Sequence, residues 1–83
     1  PQIGWNNIYN LKTPLFKNIP ENSYVYFVHS YYVELGNDTI NTTNYGIEYS
    51  SALQKNNFYA VQYHPEKSSD VGKKILENFI GEL

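Results

Sequence analysis

The hydrophobic period of this sequence changes once, close to Ser68, and that change limits the folds that the chain can adopt. Before it, short apolar and aromatic runs recur at intervals of roughly ten residues, each bounded by turn residues, which is typical of strands. After it, Val71, Ile75 and Phe79 lie four residues apart, which predicts one face of an amphipathic helix. The sequence therefore predicts a compact, strand-rich α/β unit that ends in one helix.

The predicted helix follows a serine pair and ends near Gly81. Ser68 or Ser69 supplies the N-cap, and Gly81 is a typical stop. Leu76 and Ile80 extend the apolar stripe, which we expect to pack on the sheet that contains residues 58–63. The opposite, polar face is expected to hold Lys73, Lys74, Glu77 and Asn78.

The strongest strand pattern covers residues 23–29, which are dense in β-branched and aromatic side chains and follow a Pro-Glu-Asn turn. Residues 31–33 are a candidate continuation after a break at His29 and Ser30. Further strands are predicted over residues 39–43, 49–54 and 58–63, separated by turns at residues 36–38, 45–46 and 55–57.

Composition excludes several classes of protein. The chain has 83 residues, a formal charge of −2 and no cysteine, so we expect at most one domain, without disulfides or thiolate metal sites. The lysines are dispersed, which argues against a nucleic-acid partner. The longest apolar stretch is about half the length of a membrane span, and no leader sequence is evident, so the expected location is the cytoplasm. Eleven scattered asparagines indicate a base-composition bias.

The clearest chemistry lies between the last strand and the helix, at His64 and Glu66. Pro65 disfavours the helical region for the residue before it, so extended backbone should continue through His64. Side chains two residues apart on an extended segment share a face, and Glu66 can therefore accept a hydrogen bond from one imidazole nitrogen. The other nitrogen remains available as a base, which is the arrangement of a catalytic triad without its nucleophile.

Other interpretations of these residues stay open on spacing alone. On spacing alone, a capped turn that carries a solvated Glu66 is favoured, because His-Pro is a common turn dipeptide. A metal site in which His29 joins His64 and Glu66 lacks any feature that fixes a third ligand. Ser30 could complete a Ser-His-Glu triad, although no Gly-x-Ser-x-Gly motif surrounds it.

Residues 61–68, VQYHPEKS, resemble the histidine and glutamate segment of the class I (triad) glutamine amidotransferases. Residues 1–6 (PQIGWN), residues 26–32 (YFVHSYY) and the Lys-Ser continuation are similar to the glutaminase subunits of imidazole glycerol phosphate synthase, in histidine biosynthesis. The order and spacing fit over essentially all 83 residues. Where that family usually has His and Met, this chain has Gln2 and Ile3, so a paralogue that supplies ammonia to a surface-glycan sugar-amidating enzyme stays open.

The resemblance implies that residues 1–83 are the C-terminal portion of a flavodoxin-like α/β domain whose N-terminal half, with the nucleophilic Cys, is absent. It implies glutamine hydrolysis through a γ-glutamyl thioester, with His64 as base and then acid, Glu66 as its orienting partner, and no cofactor or metal. The 83-residue chain alone is then expected to be inactive. The alternative from a different class is an interaction module that kept the fold without activity.

The resemblance also implies binding residues. Ser30 and Tyr31 match positions that hold the two charged ends of the substrate glutamine, although Tyr31 could equally be a core residue. The partner implied is a synthase (cyclase) subunit in a heterodimer, and the residues expected near its docking face are Trp5, Asn6, Tyr26 and Lys67. Core packing is the alternative for Trp5, and an ordinary solvated charge is the alternative for Lys67.

Overall fold

A computed structural model of the chain describes residues 2–29, 33–56 and 58–81, apart from the side chains of Gln2 and His29. Its strands are β1 (Gln2–Ile8), β2 (Ser23–His29), β3 (Thr39–Asn44), β4 (Glu48–Lys55) and β5 (Phe58–Val61). Helix α1 spans Ser69–Gly81, and 3-10 turns cover Pro14–Phe16 and Pro65–Lys67. The described part of the chain is thus a strand-rich α/β unit with a C-terminal helix.

The strands form two antiparallel sheets that are joined edge to edge. β1 and β2 make a two-stranded ribbon in which Trp5 lies opposite Tyr26. β3, β4 and β5 follow one another as a meander. Main-chain hydrogen bonds in both directions between Tyr9 and Thr42, at 2.9 and 2.8 Å, connect the ribbon to β3. A second bridge pairs Phe27 with Tyr63, so β2 contacts the segment that follows β5.

The core lies where these sheets meet. Phe27 is fully buried and makes edge-to-face contacts with Tyr49 and Tyr63, at centroid distances of 6.4 and 5.6 Å. Such geometry is the preferred packing of aromatic rings. The aromatic residues that distinguish the sequence therefore bring β2, β4 and the end of the β5 segment together around one centre.

The predicted strands at residues 23–29, 39–43 and 49–54 are confirmed, whereas the strand at 58–63 is shorter than predicted. β5 ends at Val61, and Tyr63 pairs across to Phe27 instead of continuing the meander. β1 was not predicted at all. Its sequence contains Gly4, Asn6 and Asn7, which have low strand propensity, and pairing with β2 overrides that preference.

The helix forms where it was predicted, but its buried face differs from the prediction. Asn78 was placed on the polar face and is instead buried, with its side-chain amide donating to the carbonyls of Leu15 and Lys17 at 2.9 Å each. Ile75 is buried beside it, whereas Ile80 is 82% exposed. The helix packs on the 3-10 turn at Pro14–Phe16, where the carbonyls of Leu15 and the following Lys17 accept from Asn78, and an apolar side chain could not provide that donor.

Contact between the helix and β5 is narrower than predicted. Phe79 meets Tyr59 edge to face at 6.0 Å, and an apolar cleft separates the rest of the helix from this strand. Phe79 and Leu76 are about half exposed as a result. No helix in the described ranges is both long and apolar enough to cross a membrane.

Candidate active site

His64 and Glu66 form the hydrogen bond that the sequence led us to expect, by a different backbone route. His64 Nδ1 lies 3.0 Å from Glu66 Oε2. His64 itself is extended, with φ −105° and ψ 98°, but Pro65 then begins a 3-10 turn instead of prolonging the strand. The turn folds the carboxylate back toward the imidazole, so the two side chains meet without sharing a strand face.

The carboxylate of Glu66 is held in its charged form. A hydrogen bond from its own main-chain N–H and, second, the hydrogen bond with His64 lower the pKa of Glu66 below its ordinary value. An ionised carboxylate can only accept, so Nδ1 carries the proton in this pair, and in the neutral imidazole Nε2 then has the lone pair. The His64 side chain is 38% exposed, so part of the imidazole is open to a reacting group.

The main chain of His64 is fixed against β2 on both sides of its α-carbon. Its N–H donates to the carbonyl of Tyr26 at 2.9 Å. Its carbonyl accepts from Ser68 Oγ at 2.6 Å, and the same hydroxyl oxygen accepts from the N–H of Tyr26 at 2.9 Å. Ser68 directly precedes α1, in agreement with the prediction that Ser68 or Ser69 is the N-cap residue, but its hydroxyl bridges two main chains and does not bond to the first turn of the helix. Only its carbonyl serves the helix, as the acceptor for Gly72 N–H at 3.0 Å.

The residue before His64 is anchored from the opposite direction by a buried polar network. The hydroxyl of Tyr63 accepts from Asn41 Nδ2 at 2.9 Å, and Asn41 Oδ1 accepts from Ser51 Oγ at 2.6 Å. Burial raises the pKa of Tyr63 well above its ordinary value, so the hydroxyl stays neutral. Sequence reasoning did not single out these residues, although the polar run Asn-Thr-Thr inside a predicted strand was a usable signal.

Glycine is required where the helix meets the turn that carries Glu66. A β-carbon added to Gly72 would lie 1.9 Å from the carbonyl oxygen of Pro65 and 2.8 Å from its carbonyl carbon. These are main-chain atoms that cannot move aside without moving the turn. Helix α1 thus packs directly against the 3-10 turn at Gly72, while Ser68 connects that turn to β2.

Trp5 and Tyr26, predicted to be interface residues, pair with each other beside this site. Their rings are edge to face at 5.8 Å. Trp5 is 53% exposed, so its alternative assignment to the core is wrong. The outward face of the β1–β2 ribbon, here termed the ribbon face, is mostly apolar. It consists of Ile3, Trp5, Tyr24, Tyr26 and Val28, with the polar Asn7 opposite Tyr24 at one end.

The other two predicted interface residues differ in their surroundings. Asn6 is engaged within the chain, since its Nδ2 donates to the carbonyl of Asn44 at 2.9 Å and its Oδ1 accepts from the N–H of Asn7 at 2.8 Å. Lys67 is exposed on the 3-10 turn and forms no ion pair with the residues that the structure describes. Of the two, Lys67 is the one free to meet a partner.

Ser30 and Tyr31, predicted to bind substrate, lie outside the described residues, as does the side chain of His29. The alternatives that use Ser30 as nucleophile or His29 as metal ligand therefore stay predictions. Within residues whose side chains are described, no three of His, Cys, Asp and Glu come together in a way that could hold a metal ion.

A family model and several curated proteins match this chain over nearly its whole length. The family model for glutamine amidotransferase class-I matches residues 1–83. The chain is 56% identical over 81 residues to the imidazole glycerol phosphate synthase subunit HisH of Buchnera aphidicola, covering 96% of this chain and 41% of that protein. It is 50% identical to the HisH subunits of Bacteroides fragilis, over 80 residues, and Methanocaldococcus jannaschii, over 82 residues. Those matches cover 96% of this chain and 41% and 42% of the two relatives. The chain thus spans about two fifths of the length of these curated relatives.

Proposed function

Because this chain belongs to the class-I glutamine amidotransferase family, we propose that it forms the C-terminal part of a glutaminase that supplies ammonia to imidazole glycerol phosphate synthase in histidine biosynthesis. The observation that carries the proposal is the His64–Glu66 pair, in which the carboxylate lies on Nδ1 and the imidazole is partly exposed. The name shared by the relatives, imidazole glycerol phosphate synthase subunit, supports this pathway over sugar amidation. The proposed location is the cytoplasm.

The proposed chemistry needs a thiol from outside these 83 residues, which contain no cysteine. His64 takes the proton of that thiol, and the thiolate attacks the carboxamide carbon of glutamine. The C–N bond then breaks as the imidazolium returns the proton to the leaving nitrogen, which departs as ammonia. Next, His64 takes a proton from water, and the hydroxide releases glutamate from the thioester and regenerates the thiol.

Glu66 supports both halves of this cycle. Its carboxylate keeps the proton of the neutral imidazole on Nδ1, and it stabilises the positive ring that forms twice. The depressed pKa of Glu66 means that this negative charge is present at neutral pH. Ser30 and Tyr31 are proposed to hold the charged ends of glutamine.

The proposed partner is the synthase (cyclase) subunit, bound as a heterodimer. Free ammonia would become ammonium in water, so the acceptor site must be docked against the glutaminase. The ribbon face offers an exposed apolar surface centred on Trp5 and Tyr26, and Lys67 lies on the turn next to Glu66. Aromatic anchors with a charged residue at the edge are typical of protein interfaces.

The test compares glutamine and ammonia as nitrogen sources for the full-length protein mixed with its synthase subunit. We expect turnover with both, and alkylation of thiols should abolish only the glutamine-dependent rate. The 83-residue chain alone should release no glutamate. Glutamate release that resists thiol reagents would reject the cysteine mechanism. A full-length protein without any glutaminase activity, and without a Gly-x-Cys-x-Gly motif before these residues, would support the non-catalytic interaction module instead.

A further inference from the structure

We infer that Ser68 is a positioning residue for the catalytic histidine, acting on His64 through the main chain; this inference rests on the proposed glutaminase function. Ser68 is fully buried and follows the 3-10 turn directly. Its hydroxyl donates to the His64 carbonyl and accepts from the Tyr26 N–H, so both its donor and an acceptor site are used between two main chains.

These bonds close a ring around the α-carbon of His64. The His64 N–H is bonded directly to the Tyr26 carbonyl, and the His64 carbonyl is bonded to the Tyr26 N–H through Ser68. One residue of β2 therefore sets the position of His64 from both sides. Without the hydroxyl, the direct bond at 2.9 Å and the adjacent Phe27–Tyr63 bridge still hold the N–H side of His64, but its carbonyl side loses its connection to β2.

The imidazole depends on this support because little else confines it. Its side chain is 38% exposed, and its described polar partner, Glu66, is itself 61% exposed on the same turn. Both members of the pair therefore move together if the turn moves. A displacement of about 1 Å at a reacting group can cost up to about 100-fold in rate.

The backbone that follows Ser68 restricts the position of the C-terminal end of the 3-10 turn. Ser69 has a φ of 57°, which is unusual for a residue other than glycine and marks the sharp change of direction into α1. Gly72 packs against Pro65 with no room for a β-carbon. The turn is thus held between α1 and β2, and the hydroxyl of Ser68 links its C-terminal end to β2, while the direct bond from His64 to Tyr26 links its N-terminal end.

The experiment uses Ser68→Ala in the full-length protein with its synthase subunit, and Ser23→Ala as the matched control. Ser23 is also in β2, and its hydroxyl donates to the Pro20 carbonyl at 2.5 Å, away from His64. For Ser68→Ala we expect the glutamine-dependent kcat to fall about tenfold or more. KM should stay within about twofold, because His64 transfers protons and does not hold the substrate. The ammonia-dependent rate should be unchanged.

A double-mutant cycle with Glu66→Gln separates positioning from general damage. Both residues orient the same imidazole, so the loss in Ser68→Ala/Glu66→Gln should be clearly smaller than the product of the two single losses. If Ser68→Ala does not fold, Ser68→Cys keeps a polar side chain of the same branching, with a larger atom and weaker hydrogen bonding, and should give a smaller fall in kcat of the same selectivity.

The inference is overturned if Ser68→Ala, or Ser68→Cys in its place, matches Ser23→Ala in kcat. It is also overturned if ammonia-dependent turnover falls in parallel, or if the losses with Glu66→Gln simply multiply. Absence of glutaminase activity in the wild-type protein is a different result, because it rejects the proposed function and this inference with it.

Discussion

Tyr26 and His64 are joined main chain to main chain, with the His64 N–H 2.9 Å from the Tyr26 carbonyl. The ring of Tyr26 contacts the ring of Trp5 edge to face, with 5.8 Å between the two ring centroids. The candidate base and the candidate docking surface are therefore neighbours across one strand. A partner bound to the ribbon face would contact β2, which is also the strand that positions His64.

Trp5→Ala in the full-length protein should weaken binding of the synthase subunit at least about tenfold, because a half-exposed tryptophan on an apolar face is a typical interface anchor. Phe58→Ala is the matched control, since Phe58 is 80% exposed but lies on β5, in the other sheet. Calorimetric titration measures both affinities. Equal affinity for Trp5→Ala and wild type would show that the ribbon face is not the docking surface.

Lys67→Ala should reduce both affinity for the synthase subunit and the ratio of glutamine-dependent to ammonia-dependent rates. Lys67 lies on the turn that carries Glu66, so an acidic partner residue that pairs with it would act directly on the triad geometry. An exposed pair contributes only about 0 to 1 kcal/mol, so a larger effect requires partial desolvation at an interface. Lys73→Ala, on the exposed face of α1, is the control. Wild-type affinity and ratio in Lys67→Ala would leave Lys67 as an ordinary surface charge.

The pKa of Glu66 should rise in His64→Ala and yet stay below its ordinary value of 4.5, because the main-chain N–H, the larger cause, remains. Since folding lowers this pKa, the pair favours the folded state above pH 4.5, and that contribution is lost as pH falls through the folded-state pKa. Carboxyl-carbon NMR titration of the full-length protein measures the shift. An identical pKa in wild type and His64→Ala would contradict the hydrogen bond.

Asn78→Ala should lower the free energy of unfolding of the full-length protein by about 1 to 3 kcal/mol, because the buried bond to the Leu15 carbonyl and the part-buried bond to the Lys17 carbonyl are both lost. Glu77→Ala, one position earlier and exposed, should change it by less than about 0.5 kcal/mol. Denaturant unfolding gives both values. If the two variants are equally stable, Asn78 is not the structural link between α1 and the 3-10 turn.

Local patterns were sufficient to predict much of this fold. The dense aromatic and β-branched run gave β2 with its observed ends, Ser23 and His29, and the four-residue spacing gave α1. The His64–Glu66 contact was also predictable, because both residues lie on one short segment whose conformation Pro65 restricts. The 3-10 turn that brings the two side chains together was not predictable, because it depends on contacts with Gly72 and β2.

Features that depend on distant contacts were missed. β1 exists because β2 pairs with it, and Asn78 is buried because a turn more than sixty residues earlier needs its amide. The asparagines show a related limit. They were attributed to base composition, yet Asn10, Asn18, Asn22 and Asn56 adopt positive φ, a conformation that asparagine tolerates better than most residues.

The most direct measurement compares His64→Ala and Glu66→Gln in the full-length protein bound to its synthase subunit, with glutamine and with ammonia as nitrogen source. His64→Ala should lose about 10²- to 10⁴-fold of the glutamine-dependent rate, because it removes the proton shuttle. Glu66→Gln should lose less, because it removes only orientation and charge. Both variants should keep the wild-type rate with ammonia. Equal losses with glutamine and ammonia would contradict the account, because His64 and Glu66 would then serve folding or docking and not glutamine hydrolysis.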